Sequence, residues 1–382
     1  MIIIGYINLL LGCNTDTIDE EKNEVDKNYD GQIFSIDCEA LQEHFVTTPT
    51  QNVDYWTGYW ECFQESNGCE GESCSWNNDD LPEYVISGDC SAAATCTVSG
   101  QEIQECMTIE ETGYVSFDCA TEGSISITAN GLPDHEIENY SVAGVLPPLL
   151  GSNATNTGYE FTTEPIYNAD SDVFESGGGT LAVAVNSVSI FNQFTGIGTV
   201  AVTDETVDDC GGHPANGTYH YHAFPICGEL VDNRKGDVGN HSGLTGLSLD
   251  GFPIFGPYGY DSAFDSSSDV VRMKSCYAQT ECDDDTDSNC YTFDDEGYSN
   301  GYCHLDKCNG RITAVPDNYQ DALGMEIYAY YMTVDDTENP AFPYLPYCYR
   351  GDVESGSSNG GGQSGGPPDG GQSGGPPPLP LR

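Results

Sequence analysis

The chain is 382 residues long, room for two domains and a sizeable core, and it sets 62 acidic residues against 10 basic ones for a formal net charge of −52. Such a balance repels phosphate backbones and anionic lipid head groups, so nucleic acid is excluded as a partner and a membrane is reachable only through an attached anchor. Cations remain as natural partners, although much of the charge serves solubility in a salty medium.

The first thirteen residues, MIIIGYINLLLGC, are apolar up to Cys13, too short to span a bilayer and suited to the core of a secretory signal. Their end, Leu10-Leu11-Gly12-Cys13, resembles the lipobox of bacterial lipoproteins, which implies a lipidated Cys13 and a protein anchored in the cell envelope. An ordinary cleaved signal of a secreted protein is the alternative. Residues 14–34 are polar and acidic and read as a tether. Residues 35–122 form a small Cys-rich module around WTGYWECF.

Of the 17 cysteines, Cys13 stands apart, eight lie between Cys38 and Cys119, and eight between Cys210 and Cys348. This division predicts two self-contained disulfide sets formed in an oxidising compartment. No Cys-x₂-Cys pair occurs, so zinc-thiolate sites are the lesser reading.

Residues 123–350 read as a mainly β domain, a sandwich or jelly-roll-like fold. SISITANG, TLAVAVNSVSIFN and GLSLDGFPIFGPY alternate with the period of half-buried strands. VAVNSVSIFN (183–192) and LSLDGFPIFG (247–256) also echo one another in character. With Asn186-Ser187 and Asp250-Gly251 at turn positions, they predict two similar hairpins. The tail, 351–382, repeats GGQSGGPP and has nothing with which to form a core.

Three of the seven histidines fall within GGHPANGTYHYHAF. On a strand, Tyr219 and Tyr221 face one side while His220 and His222 face the other, close enough to converge on one ion. The Gly211-Gly212 turn lets His213 fold back, and His241 and Asp250 are further candidates for the shell. Imidazole suits zinc or copper, and such a site would lose metal as pH falls through the usual histidine range, about 6.5. The competing reading is that these rings only pack and hydrogen-bond.

GTYHYH, preceded by CGGHP and followed by HSGLTGLSLDGFPIFGPYGY, closely resembles the YHYH-domain family, a group of secreted and surface proteins of undefined activity. ITANGLPDHEI (127–137), LDKCNGR (305–311) and FPYLPYCYRG (342–351) resemble its opening and closing segments. The sequence departs from the family in IYAYYMT (327–333), where Ala329 stands in place of a histidine. The resemblance implies a motif set of Asn130, Asp134, His135, His213, Tyr219, His220, Tyr221, His222, His241 and Asp250.

CDDDTDSNCYTFDD (282–295) spaces Asp283, Asp285, Asp287, Asn289 and Asp294 like a calcium loop, without the glycine at its sixth place. A solvated acidic loop is the alternative. The functional readings are therefore a transition-metal protein of the cell surface, an adhesion or carbohydrate-binding module, and a metal- or histidine-dependent hydrolase or lyase. No Gly-x-Ser-x-Gly, His-Glu-x-x-His or P-loop names an enzyme class.

Overall fold

The computed structural model describes residues 28–47, 113–135, 157–170, 179–195, 198–204, 207–208, 210–215, 218–225, 240–280 and 290–353. It also describes four short strands: β1 (Ser73–Trp76), β2 (Tyr84–Ser87), β3 (Thr95–Val98) and β4 (Gln101–Gln104), which form one antiparallel sheet. Cys13 and the loop residues Asp283, Asp285, Asp287 and Asn289 lie outside the described residues. Asp294, the last residue of that acidic run, caps the short helix Asp295–Ser299 by accepting from the Gly297 amide at 2.9 Å.

The architecture is mainly β. Strands β5 (Val115–Asp118), β6 (Ser124–Ala129) and β7 (Thr157–Thr162) make an antiparallel three-stranded sheet. β7 follows a strict buried/exposed alternation, with Tyr159 and Phe161 inward. That face packs on a larger sheet of β8 (Thr180–Ala184), β9 (Ser189–Phe191), β10 (Gly212–Ala215), β11 (Thr218–Tyr221), β12 (Leu244–Ser248), β13 (Pro253–Phe255), and two late strands. Between them lie two peripheral hairpins, β14 (Tyr258–Tyr260) with β15 (Val270–Arg272) and β16 (Tyr277–Gln279) with β17 (Tyr291–Phe293). The late strands are β18 (Gly310–Ala314) and β19 (Glu326–Tyr331). The two sheets share one core, as in a sandwich. The eight-stranded sheet is nonetheless mixed, because β9 runs parallel to β11 and β13 parallel to β19.

Its strand order, β10-β11-β9-β8-β12-β13-β19-β18, is symmetric about the centre. The register makes the symmetry residue-specific. At the centre Val183 faces Leu247, while Ala184 faces Gly246 and Ala182 faces Ser248, the pattern of an isologous contact. Both anticipated hairpins form, β8–β9 and β12–β13. Thr180, Ala182 and Val183 face Phe191, Ile190 and Ser189; Leu244, Gly246 and Leu247 face Phe255, Ile254 and Pro253, with the same bulge. Ser187 (φ 80°) and Gly251 (φ 87°) take the left-handed turn positions. Ile190 then pairs with Tyr221 as Ile254 pairs with Tyr330. Outermost, Gly212 and His213 face Tyr221 and His220, as Gly310 and Arg311 face Tyr330 and Ala329. The domain is thus built from two quasi-equivalent halves.

The segment before the domain is part of the same core. Phe34, Ile36, Leu41 and Phe45 are buried in it, and the Phe34 amide donates to the Pro165 carbonyl at 3.0 Å. Burying each such side chain contributes about 1.5–3 kcal/mol. The compositional division at 122/123 falls between paired strands β5 and β6, and Cys38–Cys119 ties the helix Cys38–Gln42 to the end of β5. The other described bridges are Cys276–Cys303 and Cys308–Cys348.

Candidate metal centre

The histidine hairpin is set by a buried carboxylate. Asp208 accepts from the amides of Cys210 (2.9 Å) and Gly212 (3.2 Å) and from the Tyr219 hydroxyl at 2.9 and 2.8 Å. Gly211 turns the chain with φ 73°. Gly212 has no room for a side chain, since a Cβ there would lie 2.6 Å from the His220 carbonyl and 2.7 Å from the Tyr219 ring. Burial raises the Asp208 pKa, against hydrogen bonds from Tyr219 and the backbone that lower it.

With β10 and β11 locked in this register, His213 stands opposite His220, and His222 follows two residues on. His213, His220 and His222 each bring one ligand nitrogen within 4.8 Å of the others, and this group of three can hold a metal ion. His220 and His222 are buried, His213 partly so. Phe191 stacks on the His220 ring at 4.0 Å and closes one side.

A carbonyl group sets the His222 tautomer. His222 Nδ1 lies 2.7 Å from the Asn192 carbonyl, which can only accept, so Nδ1 carries the proton. His220 Nδ1 lies farther from a carbonyl, 3.4 Å from that of Thr218. His222 Nε2 therefore presents a lone pair, and His220 Nε2 lies 3.1 Å from it: with its proton on Nε2 the His220 ring donates there, and with its proton on Nδ1 both nitrogens are available to a cation. Adjacent nitrogens on a tetrahedral zinc are separated by about 3.3 Å, given Zn–N of about 2.0–2.1 Å. Burial pushes the His220 pKa well below the usual histidine value, and the neighbouring His222 and His213 push it in the same direction. The ring is thus kept neutral, the form that ligates.

The remaining motif residues serve other ends. Tyr221, on the opposite face of β11, contacts His135 Nε2 at 2.7 Å and accepts from Asn186 Nδ2 at 2.8 Å. His135 Nδ1 lies 3.2 Å from Cys210 Sγ, and Asp134 accepts from Asn186 at 3.0 Å. Asn130 accepts from the Tyr114 amide (3.1 Å) and the Ser187 hydroxyl (2.9 Å), which fixes the first hairpin turn. His241 and Asp250 are not brought to the three imidazoles. His241 sits in the other half, with Nδ1 on the Ser242 carbonyl (2.7 Å) and Nε2 on the Tyr331 hydroxyl (3.1 Å). Asp250 accepts from the Tyr330 hydroxyl (2.6 Å) and the amides of Arg350 and Gly351 (both 3.0 Å).

Spacing overlooked Asp208, Phe191 and the carbonyls of Asn192 and Thr218, which seat the rings. A signal for Asp208 is present: Asp208-x-Cys210-Gly211-Gly212 repeats as Asp306-x-Cys308-Asn309-Gly310. The second carboxylate accepts from Cys308, Gly310 and Tyr328, as the first accepts from Cys210, Gly212 and Tyr219.

Fold and site together define a disulfide-bonded, mainly β domain with two quasi-equivalent halves and a three-histidine group in one of them. The chain belongs to the YHYH family: residues 158–351, just over half of its length, match the family described as YHYH protein. No curated protein and no solved structure matches it.

Proposed function

We propose that this protein works outside the cytoplasm as a metal-binding protein of the cell surface, holding one Zn²⁺ or Cu²⁺ through His213, His220 and His222. The observation that carries the reading is the convergence of one ring nitrogen from each of the three imidazoles within 4.8 Å, with the His222 ring oriented by the Asn192 carbonyl on its other nitrogen. Three imidazoles suit either ion. They leave further coordination positions for a water or an external ligand, the arrangement of a reactive rather than a purely structural site. Disulfides support an oxidising compartment, and the lipobox-like end at Cys13 supports a lipid anchor.

The test is elemental analysis of the full-length, oxidised protein after dialysis against each metal. Wild type should retain one equivalent, and His220→Ala with His222→Ala should retain none while its disulfides still form. A double variant that keeps its metal, or wild type that never holds one, overturns the reading. Anchoring is tested separately: fatty-acid label should enter wild type and not Cys13→Ser, and equal labelling would rule it out.

A further inference from the structure

We propose that the second half of the eight-stranded sheet carries an equivalent cation site, in which the guanidinium of Arg311 stands where the first half takes its metal ion. The inference builds on the metal reading of the first half, but its observations lie in the second. The matched registers place Arg311 at the position of His213, Ala329 at that of His220, and Tyr331 one residue beyond Tyr330 as His222 is beyond Tyr221. Phe255 answers to Phe191: Phe191 packs on His220 and His222, and Phe255 packs on Tyr331 at 6.0 Å.

The two clusters are chemically complementary. The first half offers neutral nitrogen lone pairs and brings no cation of its own. The second has none of the three imidazoles at the matching positions, with Tyr331 at that of His222, and brings a permanent positive charge on a long stem. Ala329 is fully buried and brings no ligand atom, while the His241 ring packs nearby on Phe255, Tyr260 and Tyr331. Arg311 is only 8% exposed, and among the described residues no carboxylate pairs with it, in a chain with a net charge of −52. Its Nε has no hydrogen-bond partner, one Nη donates to the Tyr260 carbonyl, and its guanidinium carbon lies 5.7 Å from the centre of the Tyr331 ring. A buried guanidinium held by a carbonyl and by the ring and hydroxyl of Tyr331, with no anion among the described residues, is what a cation-binding pocket filled from within would contain.

The proposal predicts one metal ion per chain, and a second once the guanidinium is removed and two of the three imidazoles are restored beside Tyr331. Full-length, oxidised protein is dialysed against Zn²⁺ and its zinc counted. Arg311→His with Ala329→His should hold two equivalents, and one when His220→Ala and His222→Ala are added. Ala329→His alone, with Arg311 retained, should stay at one. A folded Arg311→His, Ala329→His protein that stays at one, or Ala329→His alone taking two, overturns the proposal. If wild type holds none while Arg311→His with Ala329→His holds one, the first-half reading falls and this one stands. Arg311→Ala gives a route independent of new ligands: methylguanidinium should raise its melting temperature and leave that of wild type unchanged. Equal response of the two proteins overturns the proposal.

Discussion

Among single residues, buried charges carry the largest consequences. Arg350, almost fully buried, donates to Asp306 Oδ2 through Nε (3.0 Å) and Nη2 (2.8 Å), while Asp306 also holds Tyr328 and two amides. Arg350→Met leaves that carboxylate without its counter-charge and should cost about 3–5 kcal/mol in denaturant unfolding. Adding Asp306→Asn should recover part of the loss; an additive result would mean that the pair is not coupled. His241 makes a pH prediction. Burial lowers its pKa from the ordinary 6.5 to about 4, with Arg311 adding to the shift and the Ser242 carbonyl opposing it. Between those values the unfolded chain binds the proton and the folded one does not. This contribution is therefore complete above pH 6.5 and is lost as pH falls towards 4, at most about 3 kcal/mol. His241→Gln should flatten that part of the stability curve relative to wild type, whatever the rest of the acidic surface does.

Between elements, the tightest constraint is the approach of each outer hairpin to its tyrosine. Gly212 lies against Tyr219 in β10–β11, and Gly310 against Tyr328 in β18–β19, with no space for a Cβ in either place. Gly212→Ala should destabilise by about 1–3 kcal/mol through overpacking and should weaken metal retention, because His213 is the next residue. Gly310→Ala should cost as much stability and leave metal retention unchanged. Equal loss of metal in both variants would contradict the assignment of the ion to one half. The metal should also survive to lower pH than an unperturbed histidine site, since burial holds His220 neutral well below the usual range. Release in a dialysis series centred at the ordinary histidine pKa would count against the buried geometry.

Over the whole molecule, covalent ties reinforce a core that reaches back to the residues before the domain. Cys38–Cys119 joins the early helix to the three-stranded sheet, and Cys308–Cys348 closes a separation of 40 residues beside Arg350. Replacing Cys308 and Cys348 by Ala should cost about 2–4 kcal/mol, read as a lowered unfolding midpoint. All described bridges stay within the two cysteine groups. Non-reduced peptide mapping with an acid-directed protease should find the remainder doing the same; trypsin has no site between Asn28 and Asn233. One abundant bridge between the groups would break the division.

Alternation, turn residues and the echo between 183–192 and 247–256 were sufficient for a mainly β domain and its two hairpins, because those signals are local and a strand's period is a property of the backbone. The clustering of His213, His220 and His222 was legible for the same reason: two alternate along one extended segment and the third lies within ten residues of both. Distances across the sheet were not legible. His241 and Asp250 share the motif but sit in the other half, because β8 and β12 meet at the centre and carry their hairpins to opposite sides. The carbonyls of Asn192 and Thr218, which orient the rings, belong to a backbone whose course no side-chain pattern specifies. The pairing of Arg311 with Ala329 in register with His213 and His220 exists only once β18 and β19 have joined the sheet. Sequence alone determined which residues bear the chemistry; which of them meet was decided by the parallel pairings β9·β11 and β13·β19, long-range contacts that leave no periodic trace along the chain.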